Sequence, residues 1–373
     1  WPDRKKEAGQ MKVSLPGIPA SLGETPKRQL SLAYILPHLN LTGGLKMLLE
    51  QMKSLRAKGH KITAFRKGRE GEPVVPEWYD IELDGQVLVP EKDRWTDHLV
   101  GFDAIMAGWV GQLPELAGLR SPLIYWEQGN EWLFGEIPWP QDDTNLRAFA
   151  SRCYSQPCYL AAVSPTVASI LRTKYGREAA FIPNGIDTDF YHPSLTRDED
   201  SILLVGNPTL RFKGHNVAFD ALSKAWRAGL RFRVNWVCQV PPRIGKVDFP
   251  VTLIVRPSQQ VLAQYYRTST IHLFASWYEG FAMPPLEAMA SGTPVVATDC
   301  GGIRAYAKPG ENMLLAEPGD SDSLAAGLAF LLSHRDAREA LSAAGRKTAL
   351  EFSKENAADS LERYIFSVIE DAK

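Results

Sequence analysis

"SWYEGFAMPPLEAMASGTPVVATD", residues 276–299, lies between two short apolar runs, "IHLFA" leading into it and "PVVAT" near its end. Both runs have the length and apolar content of buried strands. Between them, Pro284 and Pro285 suit the first turn of a helix, where a missing backbone donor costs nothing. "LEAMA" continues that helix for little more than two turns, and Gly292 is its natural stop. The stretch therefore reads as strand, loop, helix, strand. Glu279 falls in the loop just ahead of the helix and Glu287 in its first turns. Free N–H groups at the helix start, with the positive end of its dipole, favour an anion there.

The same alternation extends in both directions. "LSLAYIL", from Leu30, reads as a strand, "PHLNLTGG" as a loop, and "LKMLLEQMKSLRAKG" as a helix stopped by glycine ahead of the strand "KITAF". Short apolar runs recur at "QVLV", "AIMAG", "LIYW", "LAAV" and "AAFIP". A second series comprises "SILLVGN", "RVNWVCQ", "VTLIV", "IHLFA" and "PVVAT". Strands apolar throughout and separated by helices point to parallel sheets covered on both faces. Between the two series, "PNGIDTDFYHPSLTRDEDS", residues 183–201, is dense in turn formers and reads as a linker. The fold class is α/β, with two doubly wound domains. The expected division is an extension at 1–28, a first domain at 29–190, a second at 191–355, and a C-terminal helix at 356–373 that packs back on the first. Asp320 is placed to cap the helix that follows it.

Composition narrows the function. The 373 residues are 45% hydrophobic and 23% charged, the profile of a globular chain. Net charge is -1, with 22 basic against 23 acidic residues up to Phe190 and 20 against 20 beyond it. Neither half carries the basic excess that nucleic-acid binding requires, so a bound anion must be caught by a local site. No apolar run approaches the ~18 residues of a membrane span, and cytoplasmic residence is the expectation. Cys153, Cys158, Cys238 and Cys300 form no CxxC pair, and the seven histidines show no metal-ligand spacing. "DTD" at 187–189 imitates a metal-binding Asp-x-Asp, but "DED" at 198 and "DSD" at 320 repeat the pattern. Turn and cap duty is the simpler reading, and no metal is assigned.

A carboxylate accepts hydrogen bonds from two neighbouring hydroxyls, which suits a vicinal diol of a ribose or a sugar ring. Two of them flanking an anion-binding helix start match a nucleotide sugar, with hydroxyls on either side of a diphosphate. Each glutamate alone also fits a structural role, Glu287 complementing the helix dipole and Glu279 as a solvated loop residue.

"EGFAMPPLEAMASGTPVVATDCGG" resembles the signature of the retaining family 4 glycosyltransferases, with its Glu-x7-Glu pattern at Glu279 and Glu287. "FIPNGIDTDFYHP" is similar to that family's interdomain segment, "LLVGNPTLRFKGHNVAFDAL" to its strand, phosphate loop and helix, and "TGG" at 42–44 to its glycine loop. The resemblance implies a GT-B fold whose two Rossmann-like domains flank a donor cleft. It assigns Glu287 to the ribose hydroxyls and Glu279 to the transferred sugar. Gly280, Phe281, Ala282 and Met283 would face the sugar or phosphates, and Arg256 the base. Lys213 would meet the charge growing on the departing diphosphate. The family's usual arginine after the strand's glycine is absent here, because Asn207 follows Gly206. Arg211 is the candidate substitute, aligned with Lys213 if the loop is extended. Gly43 and Gly44 would let backbone N–H groups approach the phosphates.

On the acceptor side, "LIYWEQGNEWLFGE" brings Glu127, Gln128, Gly129 and Asn130 where many relatives carry a histidine; His38 is a further candidate. Trp126, Trp132, Phe134 and Trp139 either stack on a sugar or pack a core. The resemblance implies a metal-independent hexosyltransferase without cofactor. It would move a sugar from a nucleoside diphosphate to a saccharide, lipid-linked or small-molecule acceptor in polysaccharide or glycoconjugate synthesis. That role allows a peripheral contact with the inner face of the membrane. The alternatives are a non-catalytic nucleotide-sugar-binding scaffold and a phosphorylase or epimerase on the same fold.

Overall fold

The computed structural model describes residues 28–129, 131–134, 144–243 and 245–373. Its described residues form two compact units, one up to Pro183 together with Glu355–Lys373, the other Asn184–Lys354.

The first unit holds seven strands: β1 (Ser31–Ile35), β2 (Lys61–Gly68), β3 (Gly85–Pro90), β4 (Ala104–Ala107), β5 (Leu123–Glu127), β6 (Tyr159–Ala162) and β7 (Ala180–Phe181). They form one sheet in the order β3-β2-β1-β4-β5-β6-β7, and every pairing is parallel. Apolar residues on both faces explain this: β4 and β5 are buried at every position. Helix Gly43–Ala57 buries Leu45, Leu48, Leu49, Met52 and Leu55, which recur at helical spacing along one stripe.

The C-terminal helix, Lys354–Asp371, is tied into this unit by a polar cluster. Lys58 Nζ lies 2.6 Å from Asp359 Oδ1 and 2.9 Å from Glu362 Oε2. The Leu30 N–H donates to His60 Nδ1 at 3.1 Å, which leaves the proton on Nε2 to reach Glu362 Oε1 at 2.8 Å.

The second unit repeats the plan with β8 (Ser201–Val205), β9 (Arg233–Cys238), β10 (Val251–Val255), β11 (Ile271–Phe274), β12 (Val295–Thr298) and β13 (Leu314–Ala316). The order is β10-β9-β8-β11-β12-β13, again parallel throughout. Leu204, Trp236, Leu273, Leu324 and Leu328 are among its core. Strand order reverses between β8 and β11, so the loops that follow these neighbours diverge at a switch point, where ligands of such sheets bind. From Asn184 on, the linker belongs to this unit, where arginines grip its backbone. Arg346 donates to the carbonyls of Tyr191 and Thr188, and Arg267 to that of Phe190. None of the described helices is long and apolar enough to cross a membrane.

His272, on β11, is fully buried, and its Nδ1–H donates to the Leu203 carbonyl at 3.1 Å. Burial pulls its pKa down to about 4. The unfolded chain therefore binds this proton more readily, and the folded state loses stability as pH falls through the mid-sixes. Acidification from pH 7 to pH 5 is expected to cost about 2 kcal/mol at this residue, a slope that His272→Gln removes in chemical-denaturation curves.

Candidate functional site

The loop after β8 ends in a 3-10 turn, Arg211–Lys213, and in Gly214 at φ 63°. A Cβ on Gly214 would lie 1.9 Å from the Ala275 carbonyl oxygen, so only glycine lets the loops after β8 and β11 approach this closely. The Trp277 N–H donates to the Phe212 carbonyl at 2.7 Å, and the Phe212 and Tyr278 rings stack 4.9 Å apart. Between the two loops, Lys213 Nζ meets Glu279 Oε1 at 2.7 Å. Ser276 Oγ donates to the same oxygen at 2.9 Å. Both charged side chains are largely enclosed, 18% and 14% exposed. The Glu279 backbone is pinned as well: its N–H donates to the Cys300 carbonyl and its carbonyl accepts from Gly302, at 3.0 and 3.1 Å.

Helix Met283–Ala290 starts from Ala282 in the left-handed region, φ 68°, with no side chain capping it. Such a conformation costs an alanine roughly 1–2 kcal/mol. Here the Tyr306 hydroxyl holds it in place by donating to the Ala282 carbonyl at 2.5 Å. Glu287 is half-buried on this helix, and its Oε1 accepts from the Tyr191 hydroxyl at 3.2 Å. Burial, then Cys300, Glu279 and Glu287, push the Tyr306 phenol well above its ordinary range. Burial raises the Cys300 thiol too, with Glu279 adding to it, so this cysteine is no nucleophile at neutral pH.

The other donor-side candidates occupy varied settings. A Cβ on Gly206 would sit 2.9 Å from the His215 ring, so the close approach there requires glycine. Asn207 Oδ1 accepts from the N–H and hydroxyl of Thr209 at 3.0 and 2.9 Å, closing the loop on itself. Arg256 holds a left-handed backbone, φ 51°, with its N–H on the Cys238 carbonyl at 2.9 Å. Gly280 and Phe281 are buried. Arg211 is corrected: its stretch is a 3-10 turn, not extended chain, so residues two apart point about 240° from each other. Arg211 lies exposed while Lys213 turns to Glu279.

In the first unit, Gly43 and Gly44 are the first helical residues after Thr42, whose hydroxyl caps the Leu45 N–H at 3.2 Å. The Gln128 amide donates to the Gly44 carbonyl at 2.9 Å, joining the loop after β5 to this helix start. His38 is half-buried, and burial lowers its pKa. Glu127 requires correction as an acceptor-facing group, because it is fully buried. Tyr125 and Tyr154 donate to its Oε2 at 2.9 and 2.5 Å, and the Gly129 N–H to its Oε1 at 2.7 Å. It anchors the loop rather than lining a surface. Of the two readings open for Trp126 the structure gives the core, 4% exposed with its indole N–H on the Ile182 carbonyl, and Phe134 is buried as well. Asn130, Trp139 and the Trp132 side chain lie outside the described residues.

Among the described residues no group of acidic, histidine or cysteine side chains could hold a metal ion. Asp187 of the "DTD" triplet accepts from the N–H groups of Asp189 and Phe190 at 3.1 and 2.9 Å, and pairs with Lys354 at 2.7 Å. That is turn chemistry. Ser276, Tyr191 and Tyr306, which hold the two carboxylates and their helix, carry no local signal in the sequence. Only the fold brings them in.

Residues 250–348 match the family Glycosyl transferases group 1. Over 204 residues the chain is 29% identical to the MMP alpha-(1->4)-mannosyltransferase of Mycolicibacterium hassiacum, a match covering 52% of this chain and 49% of that protein. The chain thus spans about half the length of that curated relative. Sucrose-phosphate synthase from Thermosynechococcus elongatus shares its fold with a TM-score of 0.73 at 20% identity, over 91% of this chain and 100% of the other. Anabaena HepE, solved in complex with UDP-glucose, gives 0.72 at 16% identity over the same shares. At such identities the likeness establishes the fold, a GT-B fold of two Rossmann-like units.

Proposed function

We propose, from the match of residues 250–348 to Glycosyl transferases group 1, that this chain moves a hexose-type sugar from a nucleoside diphosphate to an acceptor hydroxyl with retention. The observation that carries the reading is the Lys213–Glu279 contact at 2.7 Å, formed at the switch point of the second sheet beside the uncapped helix that bears Glu287. Glu287 takes the ribose diol and Glu279 the hydroxyls of the transferred sugar. Lys213 and the backbone N–H groups of Phe281, Ala282 and Met283, just ahead of Pro284 and Pro285, face the diphosphate, so the reading calls on no metal. The UDP-glucose bound by HepE supports a donor of this class.

In the proposed step the bond from the anomeric carbon to the diphosphate oxygen breaks as that carbon bonds to the acceptor oxygen on the same face. The acceptor's proton passes to the departing phosphate oxygen. No side chain need serve as base, which accords with a Glu127 buried away from the surface. The mannosyltransferase relative supports a role in building a saccharide or glycoconjugate.

Nucleotide binding tests the reading directly. One of UDP, GDP, ADP or dTDP, at 100 times its dissociation constant, is expected to stabilise the fold by roughly 2.7 kcal/mol in thermal unfolding. No stabilisation by any of the four defeats the donor assignment. Stabilisation without transfer or slow donor hydrolysis would favour a binding scaffold.

A further inference from the structure

Tyr191 stands in the segment whose composition marks it as a linker, yet its side chain is only 4% exposed. Its backbone is held from two sides: the N–H donates to the Asp187 carbonyl at 2.8 Å, and Arg346 Nη1 bridges the Tyr191 and Ala290 carbonyls at 2.9 and 2.6 Å. Ala290 is the last residue of the helix that carries Glu287. Phenol and carboxylate are therefore fixed to one framework. The ring also packs edge-on against Phe190 and Tyr266, with centroids 5.0 and 5.8 Å away. From this seat the hydroxyl donates to Glu287 Oε1 at 3.2 Å.

That contact governs how the carboxylate presents itself. The terminal torsion of a glutamate is broad, so a lone carboxylate rotates easily and averages its lone pairs over many directions. Tyr191 fixes the plane from the ring side, next to Tyr266, whose phenol is held above its ordinary range by burial and Glu287 together, and the remaining lone pairs stay available to other hydroxyls. We infer that Tyr191 is a positioning residue for ribose: it locks the Glu287 carboxylate so that the 2′- and 3′-hydroxyls of a ribonucleoside diphosphate are taken together. The inference rests on the donor reading above and adds to it a residue that sets selectivity for ribose.

Titration calorimetry with UDP, GDP and ADP, and with their 2′,3′-dideoxy counterparts, tests it. The wild-type protein is expected to prefer the ribonucleotide. Tyr191→Phe, which deletes one oxygen, is expected to weaken ribonucleotide binding about fivefold while changing dideoxynucleotide binding less than about twofold. In a Glu287→Gln background the same substitution should have no further effect on that preference. Equal loss for both nucleotide classes, or no loss, overturns the positioning role. A wild-type protein that binds ribo- and dideoxynucleotides alike overturns the ribose assignment of Glu287 itself, and the inference falls with it. Binding of neither class overturns the donor reading.

Discussion

Glu279→Ala is expected to lower sugar transfer by two or more orders of magnitude while leaving the fold intact. The carboxylate is aimed before any substrate arrives: Lys213 and Ser276 both hold Oε1, at 2.7 and 2.9 Å, and the backbone on either side is paired with the Cys300–Gly302 turn. A preorganised partner for sugar hydroxyls gives its full interaction in the transition state because nothing has to reorganise, which is typically worth ~3 kcal/mol per group. The substitution also removes the carboxylate that pairs with Lys213, so the ammonium no longer points where the diphosphate would lie. Both losses fall on kcat rather than on the nucleotide's affinity, since Glu287 is untouched. Steady-state transfer measured at saturating donor, beside a thermal melt, checks this. Activity within a few-fold of the parent would remove Glu279 from the chemistry.

Local punctuation explains why the core of the site is legible in sequence. Pro284, Pro285 and Gly292 fix the helix of 283–290 between two strands, and the place of Glu279 and Glu287 follows. Parallel sheets covered on both faces also follow from the β-α alternation, whereas the strand order that brings the loops after β8 and β11 together is seen only in the fold. What fails is whatever depends on loop conformation or distant contacts. Arg211 and Lys213 share a side only on an extended loop, and neither residue records that the backbone tightens into a 3-10 turn. Glu127 lies beside Gln128 in the sequence, but its fate is decided by Tyr154, 27 positions away, which helps to bury it. Trp126 shows the same limit, since the carbonyl that satisfies its indole belongs to Ile182. Tyr191 stands amid turn formers, and nothing nearby in the sequence says that its hydroxyl meets a carboxylate 96 positions on.

Lys213→Met is the second substitution expected to cut transfer at least a hundredfold, for a different physical reason. In the proposed step negative charge accumulates on the departing diphosphate, and a fixed ammonium in an enclosed setting stabilises that charge far more than water would. Methionine keeps much of the apolar stem and deletes the ammonium, whose Nζ lies 5.1 Å from the Phe212 ring centroid. Glu279, at 14% exposure, then loses its cation, so the variant is also expected to be less stable. The double variant Lys213→Met with Glu279→Gln relieves that burden. Its melting temperature is expected to recover, but its activity decides nothing, because loss of Glu279 alone is expected to abolish transfer. A supporting role for Lys213 and a role at the departing diphosphate are told apart by donors with progressively better leaving groups. The Lys213→Met deficit should shrink as the leaving group becomes more acidic, because less charge stabilisation is then required. A deficit that stays constant across such a series would mean that Lys213 supports the loop and does not act on the departing diphosphate.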